Sequence, residues 1–194
     1  IKNNIKKLEK ISVRDNNTNI FIEKITGKKK KLVCDPTLLV DIFSSKEKLS
    51  NFINEKKYII VYGRYFSKNE INKIKDFSNK NNLTIISLSY YNLWADKNIL
   101  SINPNEFIYL IQKAELIFTS MFHGVILSFK YKKNFWLSKD PYRENKLSYF
   151  LNKFRLFSRS IESFSKQEID YTIYESELKN WIEESREFII NSIK

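Results

Sequence analysis

At 194 residues the chain can bury the core of one domain or one and a half, and a hydrophobic content of 42% with 15% aromatics excludes disorder as its main state. It has no run of about 18 uncharged apolar residues, so no transmembrane helix is predicted, and its first ten residues carry four lysines in place of a signal peptide's apolar stretch. A formal charge of +12 favours an anionic ligand or surface, whereas one cysteine and one histidine make neither a disulfide framework nor a metal cluster and fit a reducing, cytoplasmic compartment.

Residues 1–10 read as the tail of a polar helix, with Ile1, Ile5 and Leu8 at helical spacing. A short strand over 11–13 ends at Arg14-Asp15. The spacing predicts a helix over 16–26 with Ile20, Phe21 and Ile25 inward, stopped by Gly27. Lys28 to Lys31 is the one dense basic run and reads as a solvated loop. No aromatic–basic pattern of the RNA-binding kind accompanies it, so no nucleic-acid partner is expected. A second strand over 32–34 holds Cys34 as a buried spectator and closes at Asp35-Pro36. Such an opening looks like the end of a domain, and an amino-terminal portion is expected to be missing.

Residues 37–57 form a connector with one helical segment near 46–54, and 57–63 is an apolar strand of the kind covered on both faces. Ser67 and Glu70 make a capping box for a helix with Ile71, Ile74 and Phe77 inward. A strand over 83–88 follows, then an irregular stretch to 103 whose Tyr90, Tyr91 and Trp94 read as a satellite core or a sugar-stacking surface. Asn103-Pro104 opens the next helix, over 104–113.

The chain is organised around residues 114–129: a buried strand over 116–118, a polar turn at Thr119-Ser120, and an apolar helix starting near Met121. The only histidine stands at that turn as His123-Gly124. In an open α/β sheet, ligands bind past a strand's carboxyl end, where a helix amino terminus favours an anion. The residues alone leave His123 open between a catalytic role and a satisfied core or helix-end histidine. A strand over 134–137, a break at Asp140-Pro141, an amphipathic helix over 146–157 and a last helix over 175–193 complete the chain. The last helix has Leu178, Trp181, Ile182 and Phe188 at helical spacing. The strand–helix alternation predicts an α/β fold, a parallel Rossmann-like sheet with helices on both faces.

Several blocks together resemble the polysaccharide pyruvyl transferase family. They are Ile11-Ser12-Val13-Arg14-Asp15, Cys34-Asp35-Pro36-Thr37, the helix from Asn103 leading to Ala114-Glu115-Leu116, and Phe122-His123-Gly124, with Asn145-Lys146 and Arg159 as a looser match. The resemblance implies a two-lobed, GT-B-like arrangement. Residues 1–45 would end the amino-terminal lobe, 46–174 would form the carboxyl-terminal lobe, and 175–194 would cross back. It also implies transfer of a pyruvyl group from phosphoenolpyruvate to two sugar hydroxyls of a bacterial surface glycan or lipid-linked sugar, as a cyclic ketal, with no cofactor and no metal. His123 would then be the acid that protonates the methylene carbon. Ser120 and Gly124 would contact substrate beside it. Arg14, Arg64 and Lys139 would supply positive charge for the phosphate and carboxylate. For Arg14 the alternative is an ion pair with Asp15 or Glu23. Some members carry an arginine two residues before the histidine; here that residue is Met121. The alternatives are a nucleotide-sugar glycosyltransferase of similar architecture, or a non-catalytic anion-binding domain. The expected location is cytoplasmic, with peripheral association to an acidic membrane surface.

Overall fold

The computed structural model describes residues 2–41, 57–138, 144–165 and 167–193. The helix expected near 46–54, the break at 140–141 and Lys139 lie outside these residues. Contacts group the chain into two units, one of Ile1–Asp41, Glu144–Leu156 and Asp170–Lys194, the other of Ile42–Arg143 and Phe157–Ile169.

The first unit begins with helix α1 (Lys2–Lys6), strand β1 (Ser12–Val13), helix α2 (Asn16–Thr26), strand β2 (Lys31–Leu32) and the short helix α3 (Pro36–Leu39). β1 and β2 pair in parallel, and Val33 N donates to Val13 O just beyond them. Asp15 caps α2 by accepting from Thr18 N, and Gly27 ends it. The inner face of α2 is Asn19, Ile22 and Ile25, not the expected Ile20 and Phe21, which are about half exposed. The physical reason is Asn19. Its side chain donates to Lys30 O at 2.9 Å and accepts from Lys30 N at 2.8 Å. Those two bonds turn its face inward and leave Ile20 and Phe21 outside. β2 likewise ends earlier than expected, and Val33 and Cys34 follow it as buried residues. Burial pushes the Cys34 thiol pKa up.

Late in the chain, α7 (Glu144–Lys153) and α8 (Glu175–Ile193) complete this unit. Leu147, Phe150 and Leu151 of α7 are buried together with Phe154 just past its end, as the spacing predicted. Trp181 of α8 reaches Phe154 at 6.0 Å and Phe150 at 6.4 Å between ring centroids. Only Trp181 and Ser185 of α8 are fully buried; Leu178, Ile182 and Phe188 are half-buried. Ser185 earns its place by donating to Trp181 O and accepting from Cys34 N.

The second unit is a five-stranded parallel sheet flanked by helices. Its elements are β3 (Tyr58–Tyr62), α4 (Lys68–Asn81), β4 (Thr84–Leu88), β5 (Lys97–Ile99), α5 (Pro104–Lys113), β6 (Leu116–Thr119), α6 (Phe122–Lys130) and β7 (Phe135–Leu137). The strand order is β5-β4-β3-β6-β7, and every pairing is parallel. The chain therefore builds outward from β3 in one direction through β4 and β5, then returns to β3's other side with β6 and β7. With right-handed crossovers, that reversal puts α4 on one face and α6 on the other. Strand alternation divides the core accordingly. Ile59, Val61, Ile85 and Phe118 pack with Ile74 of α4, while Ile60, Ile86 and Ile117 point the other way and are fully buried. The expected capping box is present at Ser67–Glu70, and a second one, Asn103–Glu106, opens α5.

The stretch expected to be irregular contains β5. Parallel neighbours usually need a crossover of about a dozen residues or more, generally helical. Here residues 89–96 make the passage. Trp94 and Ala95 pack on the α4-side core, Trp94 edge-on to Phe66 at 5.7 Å, and Asp96 accepts from Ile85 N at 2.7 Å. Those aromatics are thus partly satellite core, although Tyr91 stays 64% exposed. Among the described residues no helix is long and apolar enough to cross a membrane.

Candidate functional site

The point where strand order reverses lies between β3 and β6, and their carboxyl ends are held close by side chains. Thr119 Oγ1 donates to Tyr62 O at 2.7 Å and accepts from Met121 N at 3.0 Å, closing the turn into α6. Ser120 N donates to Tyr62 O at 3.2 Å. Two glycines make this closeness feasible. Gly63 has φ 151°, and a Cβ on it would collide with Ser120 Oγ; a Cβ on Gly124 would collide with Thr119 Oγ1. Ser120 itself is buried, and its hydroxyl has no hydrogen-bond partner among the described residues.

Helix α6 starts here with Met121 at its N-cap position and no side-chain cap. A thioether is a poor substitute for the oxygen that usually accepts from the first turn. The helix end thus presents its partial positive charge at the sheet's carboxyl edge. His123, its second residue, is exposed, with its ring edge-on to Phe122 at 5.4 Å; from Gly124 to Phe129 the helix is buried. An exposed imidazole is thus set on a rigid, buried support.

The loop after β3 runs along the same edge. Asn92 Nδ2 donates to Gly63 O at 2.9 Å, and Ser138 Oγ, past the end of β7, donates to Tyr65 O at 2.9 Å. Between these anchors Arg64 is exposed, its guanidinium 5.7 Å from the Tyr90 ring centroid. Tyr65 is 60% exposed, so Tyr65 and Tyr91 add aromatic surface to this edge. Arg64, Ser120, His123 and Gly124 are therefore brought to one edge of one sheet. The signal for Gly63 was visible as a glycine ending an apolar strand. The anchoring roles of Asn92, Thr119 and Ser138 left no trace in spacing.

Arg14 belongs to the other unit. It follows β1 and pairs with Asp35, not with Asp15 or Glu23 as the ion-pair alternative supposed; Asp15 is engaged at the α2 cap. Asp35 is buried. Its Oδ2 takes Arg14 while its Oδ1 accepts from Thr37 N at 3.0 Å and Thr37 Oγ1 at 2.7 Å. That fixed carboxylate orients a guanidinium whose side chain is 45% exposed. Arg159 is core structure: it is 5% exposed, lies 3.8 Å from the Trp136 ring centroid, and donates to Phe135 O and Gln167 O.

A cavity of about 300 Å³ opens at the opposite, amino edge of the sheet, among Lys57, Phe77, Leu83, Leu116, Trp136 and Phe164. In parallel sheets ligands bind at the carboxyl ends, so the candidate site is the edge at His123 and not this hollow. Among the described residues no three His, Cys, Asp or Glu side chains are grouped as a metal site requires.

With the switch point, the glycines and the histidine in place, sequence comparison decides the family. The polysaccharide pyruvyl transferase family model matches residues 1–137, from α1 to the last residue of β7. The chain belongs to the polysaccharide pyruvyl transferase family. A search of curated proteins finds no match to it. For this pyruvyl transferase family member, the matched span includes all the described strands and His123.

Proposed function

We propose that the chain transfers the pyruvyl group of phosphoenolpyruvate to two hydroxyls of a surface-glycan sugar, forming a cyclic ketal. The observation that carries this reading is an exposed imidazole in the first turn of α6, past the strand where the sheet order reverses. Histidine is the side chain whose ordinary titration range lets it give and regain a proton near neutrality.

In the reaction His123 gives its proton to the methylene carbon, making the enol carbon electrophilic. One sugar hydroxyl adds there and loses its proton, which restores the imidazolium. The bond from that carbon to the phosphate oxygen then breaks, inorganic phosphate leaves, and the second hydroxyl forms the second carbon–oxygen bond as its proton departs with phosphate or to water. The amino end of α6 favours the anion by about 0.3–1 kcal/mol when exposed. That is too small to hold an enol phosphate that also carries a carboxylate, so Arg64 supplies a guanidinium as well. Tyr65 and Tyr91 offer rings on which a sugar face can stack.

Two measurements test this. Thermal-shift titration is expected to show stabilisation by phosphoenolpyruvate and none by uridine diphosphate. The reverse result would replace the reading with nucleotide-sugar transfer, and silence with both ligands would leave a binding domain without this chemistry. His123→Gln is expected to lower acceptor-dependent phosphate release by about 10²-fold or more while sparing the phosphoenolpyruvate shift. Unchanged release removes the histidine from the reaction.

A further inference from the structure

The first unit carries a surface that the transfer chemistry does not use. Between residues 2 and 31 there are ten Lys and Arg against three Asp and Glu, a net of seven positive charges out of the chain's +12. Asp15, one of the three acids, is occupied at the α2 cap. Lys6, Lys7, Lys24, Lys28 and Lys29 are exposed, and no salt bridge engages them among the described residues.

Apolar side chains stand among these cations instead of being buried. Leu8 is 59%, Ile20 48% and Phe21 51% exposed. On α2, Lys24 stands four residues after Ile20 and three after Phe21, on one stripe with them, and Lys28 comes just past the helix's end at Gly27. Where α1 meets the end of α2, a groove of about 570 Å³ is lined by Ile5, Leu8 and Ile25, with Lys6, Lys28 and Lys30 beside them. Exposed lysines with exposed Leu, Ile and Phe among them have the composition of elements that lie in a membrane–water interface. Nucleic acid suits it less well, because bases stack on aromatic rings and two of the three exposed apolar residues are aliphatic.

We propose that the α1–α2 face of the first unit docks on an anionic lipid bilayer. The lysines meet lipid phosphates, and Leu8, Ile20 and Phe21 enter the headgroup boundary. Such docking holds the chain at the surface where a lipid-carried acceptor is met, and it does not depend on which reaction the other unit performs.

The test is co-sedimentation of the intact chain with phosphatidylcholine vesicles, with and without about 30% phosphatidylglycerol. Binding at least about tenfold tighter to the anionic vesicles is expected, falling steeply as salt rises from about 0.1 to 0.5 M. Lys6→Glu, Lys28→Glu and Lys29→Glu combined should abolish it, and Phe21→Ser should weaken it about threefold or more. A triple reversal on the exposed side of α4, at Lys68, Lys75 and Lys80, makes the same charge change and should leave binding nearly intact. Equal binding to both vesicle types, no sedimentation, or equal loss in the two triple variants overturns the proposal. So does a single-stranded oligonucleotide that binds more tightly than the anionic vesicles.

Discussion

Toward the amino edge of the five-stranded sheet and along its flank, several polar and charged groups are held inside the fold, whereas at the carboxyl edge His123 and Arg64 face solvent. Lys133 Nζ, beside the start of β7, donates to Ala114 O at 3.0 Å, and burial pushes its pKa down. Tyr58 donates to Leu110 O, its phenol pushed up by burial, and Arg159 lies against Trp136. Across the same sheet, His123 and Arg64 are exposed on supports that are themselves buried or pinned at both ends. A buried cation must be matched by carbonyls or rings to repay its desolvation, so it is committed to the fold and closed to a ligand. In a chain with 34 lysines and arginines, that distinction locates a site better than counting charge does.

The contrast can be broken first at its buried end. Arg159→Ala removes a ring contact and two charge-assisted hydrogen bonds, and is expected to cost about 3 kcal/mol, read from a urea unfolding midpoint. A loss below about 1 kcal/mol would make Arg159 no more structural than an exposed cation. Next comes the support of the carboxyl edge. Gly63→Ala forces a Cβ against Ser120 and should cost about 1–3 kcal/mol while also reducing the phosphoenolpyruvate thermal shift. Full retention of that shift would separate the loop from the site. The smallest effect on stability belongs to the exposed cation itself. Arg64→Ala should change stability by no more than about 0.5 kcal/mol. It should nevertheless raise the phosphoenolpyruvate concentration for half-maximal shift by roughly threefold to tenfold. A large stability loss instead would move Arg64 into the structural class with Arg159.

What could be read in advance was local. The capping box at Ser67, the Asn103-Pro104 opening of α5, and the apolar runs of β3, β4 and β6 are written in neighbouring residues, because caps and strand cores depend on short-range geometry. His123 stood out for the same reason, at a polar turn between a strand and a helix. Strand β5 was missed because Lys97 and Asn98 are polar and only Ile99 is buried, so the segment shows neither alternation nor an apolar run. The rotation of α2 was misread because a buried asparagine outweighed two apolar side chains. The anchors of the site loop were hidden by distance: Ser138 and Tyr65 are 73 residues apart, and only the order of the strands brings them together.

The outermost strands carry a further consequence. On one side β5 is three residues long and carries Lys97 and Asn98. On the other, β7 is followed along its flank by the chain itself, through Leu137 N to Arg159 O at 2.7 Å and a bridge from Leu137 to Ser160. Long, flat, apolar borders invite foreign strands to add on, and brevity, charge or a covering segment prevents this. Both borders of this sheet are blunted in those ways, which keeps their backbone donors and acceptors from templating the growth of another sheet.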